Sequence, residues 1–190
     1  PTTVLDLDPD IVDLIRRVGL EVHYGDASRL DLLHAAGCAK ARLFVLAVDD
    51  PEKSLQIAET VKKHFPNLPM IARARNRPHY YRLARLEPLA IIRETMAGSL
   101  EAGEAALRAL GYRAHQAQRL ARAFRRHDDA SIRRLAAMFG KGDEKLFFEA
   151  ARSALAETER LMRSENARGF EGAETAWDNE SLRADVNARG

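Results

Sequence analysis

The sequence predicts an α/β fold: a parallel sheet covered by helices, followed by an α-helical C-terminal appendage. Two observations carry this. Apolar runs of strand length alternate five times with helical runs between residues 3 and 94, the pattern of a parallel sheet with helices on its faces. After Arg93 the strand runs stop, and three long segments with helical spacing follow, two of them closed by Gly111 and Gly140. Glycine readily ends a helix.

The elements follow in order. "TVLDL" (3–7) reads as a strand. "DPDIVDLIRRVG" (8–19) reads as a helix, with Asp8 to cap it, Pro9 at its first position and Gly19 to end it. "LEVHYGD" (20–26) alternates and runs into a turn, so it is a second strand. "SRLDLLHAAG" (28–37) is a short helix. "ARLFVLAVDD" (41–50) is a continuous apolar run, as in a buried parallel strand. "PEKSLQIAETVKKHFP" (51–66) is a helix with proline at its start and past its end. "PMIARAR" (69–75) is a strand, "RPHYYRLARL" (77–86) a helix and "LAIIRE" (89–94) a last strand. Right-handed crossovers make this sheet Rossmann-like. The three later helices are "TMAGSLEAGEAALRALG" (95–111), "AHQAQRLARAFRRHDDASIRRLAAMFG" (114–140) and "DEKLFFEAARSALAETERLMRSEN" (143–166). The expected organisation is a sheet domain over 1–111, a helical subdomain over 112–166 and a loose tail over 167–190, rich in Gly, Glu, Asn and Arg.

Composition narrows the function. Hydrophobic residues make up 46% and charged residues 31% of the 190, which suits a globular domain with a real core. No apolar run has the length of a membrane span. The chain opens on Pro1 at the edge of a strand, which reads as an internal fragment without a leader peptide. One cysteine, Cys38, rules out an internal disulfide and fits a reducing compartment. No Cys or His stands at ligand spacing from it, so no metal site is expected. The net charge is +2. The arginine-rich stretch over 108–134 has few aromatics for base stacking, so nucleic acid is not the expected partner.

The strand ends carry the chemistry. In a Rossmann unit, ligands bind at the carboxyl ends of the strands, and an acidic residue at the end of the second strand takes the ribose hydroxyls. A carboxylate offers two acceptors to a vicinal diol. Asp6 stands at such an end, Asp8 follows it, Asp26 stands in "GDAS", and Asp49 and Asp50 close "AVDD". Asp6 and Asp8 would also serve simply to cap the helix. The repetition at successive strand ends favours a nucleotide pocket, with Asp26 placed to accept from an adenine amino group. The glycine-rich phosphate turn that should precede Asp6 is not in the sequence. The first strand and its turn are therefore read as lying before residue 1.

"LDLDP", "GDAS", "AVDDP", "IARAR", "RET" and "QAQ…FRR", in that order, resemble the cytoplasmic regulatory domain of the Kef family. These are glutathione-gated potassium efflux antiporters of bacterial inner membranes, and their sheet part is the KTN, or RCK, domain. The resemblance runs from residue 3 to about residue 165. It implies a non-enzymatic, ligand-sensing domain on the cytoplasmic face of the inner membrane. Such a domain gates the membrane antiporter domain of the same protein, which exchanges potassium for protons. It implies AMP or NAD(H) in the Rossmann pocket, glutathione and glutathione adducts as opposing ligands, and a homodimer. A flavoprotein quinone reductase is the implied ancillary subunit.

Residue by residue, the resemblance makes Asp6 the ribose acid and puts Asp26 and Ala27 in the motif beside the adenine. It makes Arg93, in "RET", a glutathione contact. Asp128, just after "FRR", matches a second glutathione contact that is Asn in the KefC-like branch; Asp resembles the KefB-like branch. The chemistry agrees. Glutathione carries two carboxylates and an ammonium, arginine suits a carboxylate, and Asp128 would take the ammonium. Asp128 also falls on the apolar stripe of Ala117, Leu120, Phe124, Ile132, Leu135 and Phe139, where a lone charge is costly. Either an internal ion pair or a ligand would meet that need. Arg119, Arg122, Arg125, Arg126, Arg133 and Arg134 read as a solvated face. Arg73 and Arg75 share a strand face that would look into the cleft, and His79 with Tyr80 and Tyr81 reads as helix surface and packing. Two other functions fit less well. A nicotinamide-dependent oxidoreductase would need a catalytic acid or base set, and the helical part offers none, nor a Tyr-x-x-x-Lys. A gating domain that answers to nucleotide alone would lack the glutathione positions.

Overall fold

Local chain chemistry starts the helices. In the computed structural model, which describes residues 2–171, β1 (Leu5–Asp6) leads into α1 (Pro9–Arg17). Asp8 caps α1, its carboxylate accepting the Asp10 and Ile11 N–H groups. Pro9 follows, where a missing N–H costs nothing. The same device recurs twice. Asp50 caps α3 (Pro51–His64) by accepting from the Lys53 N–H, and Asn76 caps α4 (Arg77–Ala84) by accepting from the His79 N–H. Between α1 and α3 lie β2 (His23–Tyr24), α2 (Leu30–Ala35), a 3₁₀ turn over Cys38–Lys40 and β3 (Phe44–Leu46). Gly37 enters that 3₁₀ turn at φ +86°, a left-handed conformation that glycine adopts without strain. β4 (Met70–Ala74) precedes α4, and β5 (Ala90–Arg93) follows it.

All strand pairs are parallel, as the alternation predicts. β1 pairs with β2, aligning Leu5 with His23 and Asp6 with Tyr24. β3, β4 and β5 form a second ladder in that order. In a doubly wound sheet of order 3-2-1-4-5-6, these would be the pair 3-2 and the trio 4-5-6. The strands are shorter than their apolar runs, because a ladder extends only as far as a neighbour stays in register.

The core lies on one face of the three-stranded ladder. Leu46, Met70, Ala72 and Ala74 meet Leu55, Ile57, Ala58 and Val61 of α3, Leu83 of α4 and Leu33 of α2. Ser54, Ala58 and Val61 recur on one side of α3 and are buried, the stripe a helix needs to cover a sheet.

The chain divides into two compact units between Thr95 and Met96. The second contains α5 (Met96–Ala109), α6 (Ala114–Met138) and α7 (Glu144–Glu171). The sequence expectation carried the sheet domain through residue 111. Instead α5 groups with the helices after it, because it packs on α6. The expected helical subdomain over 112–166 thus gains a helix at its front. α7 continues through Glu171, past residue 167, where the loose tail was expected to start. No proline interrupts this stretch, and one interior glycine costs a helix only about 1 kcal/mol. The rest of that expected tail, residues 172–190, lies outside the described residues. The apolar stripe of α6 is as expected. Ala117, Leu120, Ile132 and Leu135 are buried, and Phe124 and Phe139 are half-buried.

Candidate functional site

The first carboxylates converge because β1 and β2 are parallel neighbours. Past the ladder, the Gly25 N–H donates to the Asp6 carbonyl at 2.9 Å. That bond sets the carboxyl ends of the two strands side by side, and Asp6 and Asp26 leave them together. Asp6 Oδ1 accepts the Asp8 N–H at 2.9 Å, which tightens the turn into α1. Asp8 Oδ1 accepts the Asp10 and Ile11 N–H groups at 2.9 and 3.3 Å, so capping is one role Asp8 fills. Asp6 has an acceptor oxygen to spare in Oδ2, which suits a ribose diol.

Asp26 is more firmly held. Oδ1 accepts the Ser28 N–H at 2.9 Å, and Oδ2 takes the Lys53 ammonium at 3.1 Å. Hydrogen bonds from Ser28, side chain first and then backbone, outweigh burial. With Lys53 they hold the carboxyl down to about 2. Ala27, beside it, is half-buried against the core. Lys53 was not singled out in the sequence. Its signal is faint: a lysine three residues after a capping Asp, on the helix after the next strand.

Asp49 and Asp50, at the end of β3, are both engaged. Asp50 caps α3. Asp49 pairs with Arg73, whose guanidinium also donates to the Ala47 carbonyl at 2.8 Å and lies 3.8 Å from Glu94. Arg75 reaches the Asp49 carbonyl at 3.4 Å. Arg73 and Arg75 thus turn together to the carboxyl end of β3. Arg93 aligns with Ala74. Aligned residues share a face and successive residues alternate, so Arg93 sits on the opposite face from Arg73 and Arg75. It is half-buried and engaged within the protein.

Asp128 belongs to the second unit. It is buried, with 6% of its surface exposed, and it too is engaged within the protein. The arginines of α6 are mostly exposed. Arg119 and Arg134 nevertheless reach α7, at Glu165 and Glu157 respectively. Of the expected helix surface and packing, His79 takes the packing: it is 2% exposed. Its Nδ1 accepts the Arg75 N–H at 3.2 Å, and this bond draws the ring inward. Among the described residues, no three His, Cys, Asp or Glu group to hold a metal ion.

The comparisons with known proteins divide the chain where its fold does. Residues 1–93 match the TrkA-N domain, and residues 98–177 match the potassium efflux system KefB C-terminal domain. A solved structure described as the Shewanella denitrificans Kef CTD in AMP bound form is 35% identical. It superposes with a TM-score of 0.62 over 73% of this chain and 98% of that one. The chain belongs to the Kef family. Glutathione-regulated potassium-efflux system protein KefC of Salmonella paratyphi B and that of Salmonella newport are each 45% identical over 133 residues, 70% of this chain. The chain spans about a fifth of the length of these Kef relatives, 22%. No helix among the described residues is long and apolar enough to cross a membrane.

Proposed function

We propose that the chain is the cytoplasmic ligand-sensing domain of a Kef-type potassium/proton antiporter, on the inner face of the bacterial inner membrane. It binds an adenine nucleotide, AMP or NAD(H), at the carboxyl ends of β1 and β2. It has no enzymatic role. The observation that carries this reading is the convergence of Asp6 and Asp26 at adjacent strand ends, in a chain related to a Kef domain described as AMP bound. Asp6 accepts from the ribose and Asp26 from the adenine amino group, with Ala27 alongside and Asp8 ordering the turn between β1 and α1.

Glutathione and its adducts are the opposing ligands, with Arg93 a contact in the sheet unit and Asp128 a contact in the helical unit. The domains act as a homodimer, and a flavoprotein quinone reductase docks as ancillary subunit. Support for the dimer is α5, which buries none of its residues and leaves open space around Gly98 and Gly103. Close helix approach needs such small residues. The burial of Asp128 favours a second reading, gating by nucleotide alone, since glutathione must reach that carboxylate. Thermal melts separate the two. On the first reading AMP or NADH, glutathione and a bulky glutathione adduct each raise the melting temperature; on the second only the nucleotide does. No shift with any of them would refute both.

A further inference from the structure

We propose that Lys53 is a positioning residue that makes the nucleotide site selective for a 6-amino purine, acting through Asp26. This rests on the nucleotide reading above. Lys53 lies in the first turn of α3, and its backbone N–H is already committed to the capping Asp50 at 2.8 Å. Its side chain reaches back across the fold, from the helix after β3 to the turn after β2, and ends 3.1 Å from Asp26 Oδ2. The Ser28 N–H holds the other oxygen at 2.9 Å. A donor on each oxygen, with the Ser28 hydroxyl as a third, fixes the plane of the carboxylate. A carboxylate has about four acceptor positions, so about one stays open, now in a set direction.

The selectivity follows from that direction. A fixed carboxylate accepts from a 6-amino group and repels a 6-oxo group. Without the ammonium, Oδ2 loses its tether and the carboxylate can turn about its last torsion. The same bond ties the β2 turn to α3. The two side chains are 28% and 39% exposed, so a ligand can reach them. A pair that exposed adds little to stability, and its effect is therefore on orientation more than on folding.

The test is calorimetric titration into the full-length protein of AMP and of inosine monophosphate, which has a 6-oxo group and an N1–H where AMP has a 6-amino group and a bare N1. Wild type, Lys53→Met and Lys53→Arg are compared, with thermal melts of each. The expected result is a preference of the wild type for AMP. Lys53→Met should weaken AMP about two- to fivefold while leaving inosine monophosphate and the melting temperature unchanged, and Lys53→Arg should restore AMP. Unchanged AMP affinity in Lys53→Met would overturn the proposal. So would an equal loss of both nucleotides, which would make Lys53 a prop for the fold. A wild-type chain that binds neither nucleotide would instead overturn the nucleotide reading on which the proposal rests.

Discussion

Gly25 donates its backbone N–H to the carbonyl of Asp6 at 2.9 Å, one step past the last aligned pair of β1 and β2. The bond brings two acidic residues from separate sequence motifs to one edge. It also explains the glycine. A Cβ at position 25 would stand 3.2 Å from Leu32 Cδ1 and 3.6 Å from Leu5 Cδ2, so a side chain there would crowd Leu32.

Asp6→Ala removes the expected diol acceptor. A hydrogen bond to a charged group is worth on the order of 1.5–3 kcal/mol, so AMP affinity should fall about tenfold or more. Calorimetric titration of the full-length protein measures this. Unchanged affinity would leave Asp6 only the turn bond to the Asp8 N–H.

Arg93→Ala should weaken glutathione and a glutathione adduct alike, since both present the same charged ends. Phe124→Ala should change their ratio, because the two ligands differ only at sulfur and only a differential interaction can shift a gate. Competition binding reads both effects. Full binding of both ligands by the Arg93→Ala, Asp128→Ala double variant would exclude both residues as contacts.

His79 predicts an acid-side loss of stability. Burial first, then the nearby Arg82 guanidinium, hold the imidazole below its ordinary 6.5, against the pull of Glu52 and Asp50. The folded protein therefore binds fewer protons here than the unfolded chain. The contribution is complete above pH 6.5 and is lost as the pH falls below it. Melts between about pH 8 and 5 should show this slope. His79→Asn keeps an acceptor for the Arg75 N–H and removes the titration, so its slope should be flatter. Identical slopes would assign the effect to another group.

Ile132→Ala should cost about 2–5 kcal/mol. Ile132 is 1% exposed on the α6 stripe, and the cavity would fall where the helices of the second unit pack. Chemical denaturation measures the loss. A change of less than about 1 kcal/mol would mean that the helices close over the gap.

The homodimer should appear in light scattering at tens of micromolar, roughly the range in which a stable interface is populated. Replacing Gly98 with Leu, on a helix with no buried residue, should shift the mass toward monomer. A wild-type monomer throughout that range would remove α5 as an interface.

The order of the elements and the starts of most helices are legible in the sequence. Asp8 before Pro9 and the proline at position 51 are start signals, and a cap is made between residues two or three apart. The α6 stripe was legible for the same reason: helical spacing repeats locally. Tertiary structure decided the rest. "LEVHYGD" reads as a seven-residue strand, yet only His23 and Tyr24 pair, because ladder length depends on a partner strand. The grouping of α5 depends on what it packs against. Asp26 was legible as an acid at a strand end, but its partner Lys53 lies 27 residues away on another element. The sequence leaves His79 between surface and packing, and the burial of α4 with the Arg75 bond decides for packing. Such relationships are set by how elements pack, and short-range spacing does not encode them.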